Sequence, residues 1–388
     1  MNVGNGMYID TPEALESLTR RLREYSWLAV DTEFQREKTY YPKLCLIQVA
    51  APDFACCIDP LAISDIDPLL DVLYDSNITK VMHAARQDLE ILFHIRGSLP
   101  SSLFDTQIAA PLLGHPEQAG YATLVDRVLN IKLSKSHTRA DWTRRPLPEN
   151  QIRYAADDVI YLARLYPLLH AELVSRGRLH WLDDDFAELE NPDLYQASPE
   201  KSWQRIRGIE RLQARQLCVL QALAAWREET AQQENRPRNW LLRDDVLVDI
   251  ARQIPDNRDD LAHIRGLSER MLKRHGTAVL ELIAGAGRQE PQPLPDTRRR
   301  ARLKPEQDAL VDAMMSMVQI VALKESLSPA VLASRKQLAA LLQQQDNRDI
   351  ELLHGWRRNL IGTQLRAFLR GELVLRVEDG ELSVVDNT

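Results

Sequence analysis

Residues 27–34 read WLAVDTEF. Trp27, Leu28, Ala29 and Val30 form the kind of short apolar run that fills a covered sheet, and Asp31 and Glu33 interrupt it. Residues two apart on a strand face the same side, so the two acids project together, roughly 7 Å apart at a rise of ~3.3 Å per residue. Anions held that close repel each other, which raises one pKa unless a cation lies between them. A plain strand end would instead leave both acids in water, with Thr32 opening a turn. The rest of the chain has to distinguish the two.

A chain of 388 residues with 44% apolar composition is long enough for two or three globular domains with real cores. The start, residues 1–6, is polar and lacks a basic stretch followed by an apolar one, and no run of about 18 apolar residues occurs. A cytoplasmic protein with no membrane association is expected. Cys45, Cys56, Cys57 and Cys218 show no CxxC spacing, so neither a zinc site nor a disulfide framework is indicated. Residues 1–190 hold 19 Lys or Arg against 28 Asp or Glu, a balance of −9, which leaves +2 for the remainder. An acidic first part argues against a simple basic binding module and suits a site that collects divalent cations.

Working outward from WLAVDTEF, residues 44–50 and 54–58 are strand candidates separated by the turn residues Pro52 and Asp53. Residues 67–74 look helical, 80–83 form a short strand and 84–95 a helix. Three strands without intervening helices, then alternation, predict a mixed sheet flanked by helices. A doubly wound dinucleotide fold would alternate from the start. Beyond about residue 200 the pattern turns helical, after an acidic stretch at 181–199 that carries Pro192 and Pro199. A second break at 285–305 contains Pro291, Pro293 and Pro295 and the basic run Arg298, Arg299, Arg300, Arg302 and Lys304. Around it lies an internal repeat: DNRD at 256–259 recurs at 346–349, Pro237 and a helix over 240–254 correspond to Pro329 and a helix over 330–344, and Gly266 corresponds to Gly355. Asp379-Gly380, between apolar runs at 373–377 and 381–385, is the signature of a terminal hairpin.

Acids interrupt apolar patterns in two further places. In HAARQDLEIL, residues 83–92, Asp88 lies near the edge of a helical face that Leu89, Leu92 and Phe93 turn to the core. In YAADDVIYLARLY, residues 154–166, Tyr154 and Asp158 stack four apart on one helix face, with Asp157 also in reach at three apart. Spacing alone does not choose between Asp157 and Asp158. Four carboxylates and a phenol from three separate elements are what a two-metal phosphodiesterase needs: hard oxygen ligands for two Mg²⁺ or Mn²⁺ ions, and a hydroxyl to orient the attacking water.

Asp31 in D-T-E-F, His83 to Leu89 in H-x4-D-L, and Tyr154 to Asp158 in Y-x3-D resemble the three motifs of the DEDD exonucleases, in the subclass with Tyr in the third motif. The stretch KSHTRADWTRRPLPENQIRYAADDV, 135–159, resembles the ribonuclease D family within that class. The paired helical units resemble HRDC domains; the first carries WREE at Trp226 and the run NRPRNWLLRDDVL, whereas the second, from Lys304, lacks the Trp-Arg pair and is degenerate. The resemblance implies an RNase H-like α/β exonuclease domain at 1–190, a linker at 191–208, a first HRDC domain at 209–288, a linker at 289–303, and a degenerate HRDC-like domain with the hairpin at 304–388. WLAVDTEF would be the central strand of its sheet. Asp31, Glu33, Asp88 and Asp158 would be the metal ligands and Tyr154 would position the water, leaving Asp157 outside the ligand set. His137 is then ordinary loop polarity, because the third-motif position is Tyr154.

The activity so implied is 3′–5′ hydrolysis of RNA to nucleoside 5′-monophosphates, with two divalent ions, no small-molecule cofactor, and precursor tRNA and other structured RNAs trimmed at their 3′ ends. Phe34 could stack on the terminal nucleoside. Lys132, Lys135 and Arg139 could meet phosphates, as could Arg236, Arg238, Lys273 and Arg274 near Trp240 in the first helical unit. A 3′–5′ DNA exonuclease would use the same carboxylates, since nothing in the sequence locates recognition of the 2′-hydroxyl. A silent nucleic-acid-binding scaffold is disfavoured because all five site residues are present. With no extended heptad pattern, a monomer is expected.

Overall fold

The computed structural model describes residues 7–133, 140–286, 290–293, 303–344 and 350–387. Lys135, His137, Arg139, most of the basic run at 298–304 and the second DNRD copy at 346–349 lie outside the described residues.

One mixed sheet organises the first half. Its strands are β1 Met7–Ile9, β2 Trp27–Gln35, β3 Lys43–Ala50, β4 Ala55–Ile58, β5 Thr79–Met82 and β6 Leu103–Asp105, in the order β1-β4-β3-β2-β5-β6. β3 is antiparallel to β2 and β4, and the other pairings are parallel. The RNase H-like arrangement expected from the sequence is therefore present, with WLAVDTEF in a central strand. The edge strands β1 and β6 have three residues each, too few for a period-2 pattern to announce them.

β2 does not end at the acids. The ladder continues through Asp31↔Gln48, Thr32↔Ile47 and Glu33↔Leu46 before a bulge between Glu33 and Phe34, so Thr32 is a buried strand residue and not the start of a turn. Leu28 and Val30 pack with Ile47 and Val49 on one face. Ala29 lies on the other face with Val159, Leu162 and Leu165, and the period of two carries Asp31 and Glu33 onto that same side. Three helices complete the setting of the site: α1 Arg86–Arg96, α2 Tyr121–Leu129 and the 27-residue α3 Glu149–Ser175.

The second half is helical up to the hairpin Leu373–Glu378 and Glu381–Asp386, whose Asp379 and Gly380 both have positive φ as a tight two-residue turn requires. The internal repeat is visible in the backbone. Helices Arg238–Leu241 and Asp244–Gln253 are interrupted by an extended Leu242, and Pro329–Leu332 and Arg335–Gln343 by an extended Ala333. The single helices expected over 240–254 and 330–344 are thus broken at equivalent points. Gly266 and Gly355 both adopt positive φ.

One expectation about the linkers needs correction. The stretch 191–208 is not a free connection: Pro199–Arg205 forms a 3-10 helix, and Trp203 and Ile206 are buried with Ile209, Leu220 and Leu247 in the core of the first helical unit. Apolar anchors in a proline-bearing, charged stretch are easily read as solvent-facing. The second unit packs on the first half: Val311, Met314 and Val318 belong to the same hydrophobic cluster as Leu113, Leu124 and Leu165. Trp181 stacks on Trp356 with ring centroids 4.5 Å apart. Arg178 donates to the Leu112 and Glu325 carbonyls at 2.8 and 2.6 Å. Among the described residues no helix is long and apolar enough to cross a membrane.

Candidate active site

Asp31, Glu33 and Asp158 each offer a carboxylate oxygen, and the three atoms lie within 4.8 Å of one another. β2 supplies the first two from one face, and α3 crosses that face to supply the third. Asp88 comes from the first turn of α1 and is 7% exposed; the sequence placed it nearer the edge of the helix face than the fold does. Its Oδ1 accepts a hydrogen bond from the Thr32 hydroxyl, which points to the opposite side of β2 from Asp31.

Burial and mutual repulsion set the electrostatics. Asp31 is pushed well above the ordinary carboxylate range by burial and then by the charges of Asp88, Asp158 and Glu33. Glu33 rises to about 8 through burial and the charges of Asp158 and Asp88. Asp88 and Asp158 each rise to about 7, chiefly through burial, with the Thr32 bond opposing the shift at Asp88. A buried cluster of this kind holds protons unless cations replace them. The donor set is entirely oxygen and carries up to four negative charges, which fits hard divalent cations and not soft metals.

Tyr154, one turn before Asp158 on α3, is raised to about 12 by burial and the neighbouring Asp158, Glu33 and Asp31. Its phenol therefore keeps its proton at neutral pH and is a hydrogen-bond donor. Asp157 is also raised by burial, with Arg153 opposing, yet it is not among the three carboxylates that converge. Of the two adjacent acids that spacing left open, Asp158 is the one that lies with Asp31 and Glu33.

Several residues that hold the site were not singled out from the sequence. The Tyr121 hydroxyl on α2 donates to the backbone carbonyl of Asp158 and, at 3.3 Å, to that of Asp157, tying down the turn of α3 that carries the site. Buried Asp105 accepts from the Ala84 and Ala85 amides at 3.0 and 2.8 Å, fixing the entry to α1 around Ala84, which has φ 57. Asp59 receives Arg145 Nε and Nη2 at 2.5 and 2.6 Å and the Tyr8 hydroxyl at 2.5 Å, while Arg145 also donates to the Cys45 carbonyl. Burial would raise Asp59, but these bonds hold it below the usual range. With buried Trp142 and Leu147, that clamp anchors the chain just ahead of α3. Only an Asp-Arg pairing 86 residues apart could have announced it.

The expected RNA contacts fall out differently. Phe34 is half-buried beside the bulge. Arg236 and Arg274 both pair with Glu234, at 3.2 and 2.7 Å, and Arg238 sits 3.7 Å from buried Glu228. Lys273 is exposed. Cations also gather in the second helical unit, where Arg358, Arg366 and Arg370 line one cavity of about 510 Å³ with His354 and Thr363. Residues 354–371 contain four arginines and no acid, a pattern the degenerate appearance of this unit obscured.

Residues 7–174 match the family described as 3′-5′ exonuclease, 216–283 the HRDC domain, and 305–365 the C-terminal HRDC domain of ribonuclease D. A ribonuclease D from Gluconacetobacter diazotrophicus is 39% identical over 95% of this chain and 94% of its own length. The crystal structure of Escherichia coli RNase D, described as an exoribonuclease involved in structured RNA processing, superposes with a TM-score of 0.80 at 34% identity, covering 95% of this chain and 99% of the other. The catalytic core of RRP6 from Trypanosoma brucei reaches a TM-score of 0.58 at 25% identity over 73% and 79%. Matched in this way over nearly all of its length, the chain belongs to the ribonuclease D family and is a 3′–5′ exoribonuclease that uses divalent metal.

Proposed function

We propose that the chain trims structured RNAs, precursor tRNA among them, one nucleotide at a time from a free 3′ end, through a site that takes two Mg²⁺ or Mn²⁺ ions. The observation that carries this reading is the convergence of Asp31, Glu33 and Asp158 within 4.8 Å, with Asp88 adding its charge to theirs. Asp31, Glu33, Asp88 and Asp158 are assigned as the residues that hold the ions. Divalent cations bound there would make the attacking water more acidic and offset charge on the scissile phosphate. Tyr154 donates a hydrogen bond that orients the water; with a pKa near 12 it works as a donor and not as a phenolate base. Tyr121, Thr32 and Asp105 keep the acids in place.

The helical half holds the body of the RNA. Lys273, Arg358 and Arg366 carry the phosphate contacts in this reading, since Arg236, Arg238 and Arg370 already have internal acidic partners. The corresponding division is a nuclease unit to about residue 190, a first helical unit from Pro199 to about 288, and a second from 304 onward.

A time course on 3′- and 5′-labelled RNA and DNA oligonucleotides, with Mg²⁺, Mn²⁺ or EDTA, tests the proposal. Shortening from the 3′ end that needs metal and is lost in Asp31→Ala is the expected result. Undiminished cleavage by Asp31→Ala would refute the site assignment, and faster cleavage of DNA would overturn the RNA preference. Repeating the course on a hairpin with a 3′ tail tests the structured-RNA part: a tail trimmed more slowly than an unstructured strand would contradict it.

A further inference from the structure

Gln48 on β3 has no solvent exposure, and among the described residues neither its Oε1 nor its Nε2 has a hydrogen-bond partner. Burying an amide without partners is costly, and an apolar side chain of the same shape would be cheaper. Its surroundings are otherwise apolar or weakly polar. Gln48 lies opposite Cys57 on β4, and alternation puts it on the sheet face with Leu46 and Ala50, which Ala155, Ala156 and Val159 of α3 cover.

The other cross-strand neighbour of Gln48 is Asp31. Residues directly opposite on antiparallel strands have Cβ atoms roughly 5 Å apart and side chains on the same face, so the amide of Gln48 is within reach of the Asp31 carboxylate. Cys57, on the far side of Gln48, is pushed up to about 12 by burial and by the charges of Asp158, Asp31 and Glu33, which places the carboxylate field over this part of the sheet. We infer that Gln48 is a positioning residue: its Nε2 donates to Asp31 when that carboxylate is ionised and holding a divalent cation, fixing which oxygen faces the cation. The orphaned amide is then a donor set in place for the loaded site.

The inference rests on the reading of the acid cluster as the metal site, and the test separates the two. Mn²⁺ binding to the full-length protein, without RNA, is measured by calorimetry for wild type, Gln48→Met and Gln48→Asn. Gln48→Met keeps the length and removes the amide; Gln48→Asn keeps the amide but withdraws it by one methylene. Removing a hydrogen-bond partner of a metal ligand typically weakens affinity about 10- to 100-fold, and a loss of that order is expected in both variants. In EDTA, Gln48→Met should melt no lower than wild type, because it relieves a buried orphan. In kinetics the loss should be recovered at high Mn²⁺, with KM for RNA little changed. Wild-type protein that binds no Mn²⁺ would sink the metal-site reading itself. Wild-type binding with equal affinity in whichever variants fold would overturn the role of Gln48, as would a lower melting temperature in EDTA with unchanged affinity.

Discussion

The acids of the sheet and the arginines of the first helical unit were both picked out as functional from the sequence, yet the fold treats them in opposite ways. Among the described residues, Asp31, Glu33 and Asp158 are brought together as like charges, each held above its ordinary pKa. Arg236, Arg238 and Arg274 are each set beside Glu234 or Glu228. Like charge left concentrated in a buried cluster marks a candidate place for something else to bind.

The largest consequence falls on catalysis. Asp31→Ala or Asp88→Ala should lower kcat by several orders of magnitude with the circular dichroism spectrum unchanged, whereas Arg236→Ala should leave kcat on a short oligonucleotide within a few-fold of wild type. Comparable losses in the two classes would erase the distinction between them. Tyr154→Phe comes next: removing one positioned hydroxyl should reduce kcat about 10²-fold while Mn²⁺ affinity measured by calorimetry stays close to wild type. A parallel fall in affinity would make the phenol part of the metal shell.

The acid cluster also predicts a pH dependence. Its folded-state pKa values stand above those of free carboxylates, at about 8 for Glu33 and about 7 for Asp88 and Asp158. Between roughly pH 4 and 8 the folded protein therefore keeps protons that the unfolded chain has released. These groups stabilise the metal-free fold most at the acid end of that window, and the contribution is lost as pH rises through the folded pKa values. Mg²⁺ replaces the protons, so the rise in Tm it produces over an EDTA control should be larger at pH 8 than at pH 5. An equal rise at both would mean that the ion binds elsewhere.

What could be read beforehand follows the same divide. A strand fixes its own side-chain alternation, so Asp31 and Glu33 pair from local sequence alone, and a helix fixes Tyr154 over Asp158 in the same way. Thr32 on Asp88, Tyr121 on the Asp158 carbonyl and Arg145 on Asp59 are contacts between residues 37 to 86 positions apart, and no local period encodes them. Surface arginines are harder still: their long side chains choose partners only once helices have packed. That is why Glu234 and Glu228 neutralise the arginines that looked available, and why Trp203 and Ile206 were read as linker while they lie in a core.

The smallest expected effect bears on the arginines themselves. The second helical unit shares its core with the nuclease half, so cutting it away would expose Leu113, Leu124 and Leu165 and unfold more than it tests; charge reversal is the cleaner probe. Arg358 and Arg366 line the same cavity and are exposed, so Arg358→Glu with Arg366→Glu should weaken binding of a hairpin RNA with a 3′ tail. The dependence of log Kd on log salt should become shallower by about 1 for each phosphate no longer held. Cleavage of a short single strand that does not span the units should be unaffected. Arg236→Glu with Arg238→Glu should change the salt dependence less, because those cations already face carboxylates and release fewer counterions on binding. If the first pair leaves the slope untouched and the second flattens it, the internal ion pairs of the first unit open on contact with RNA, and an arginine's partner in the free protein is then no guide to what it binds.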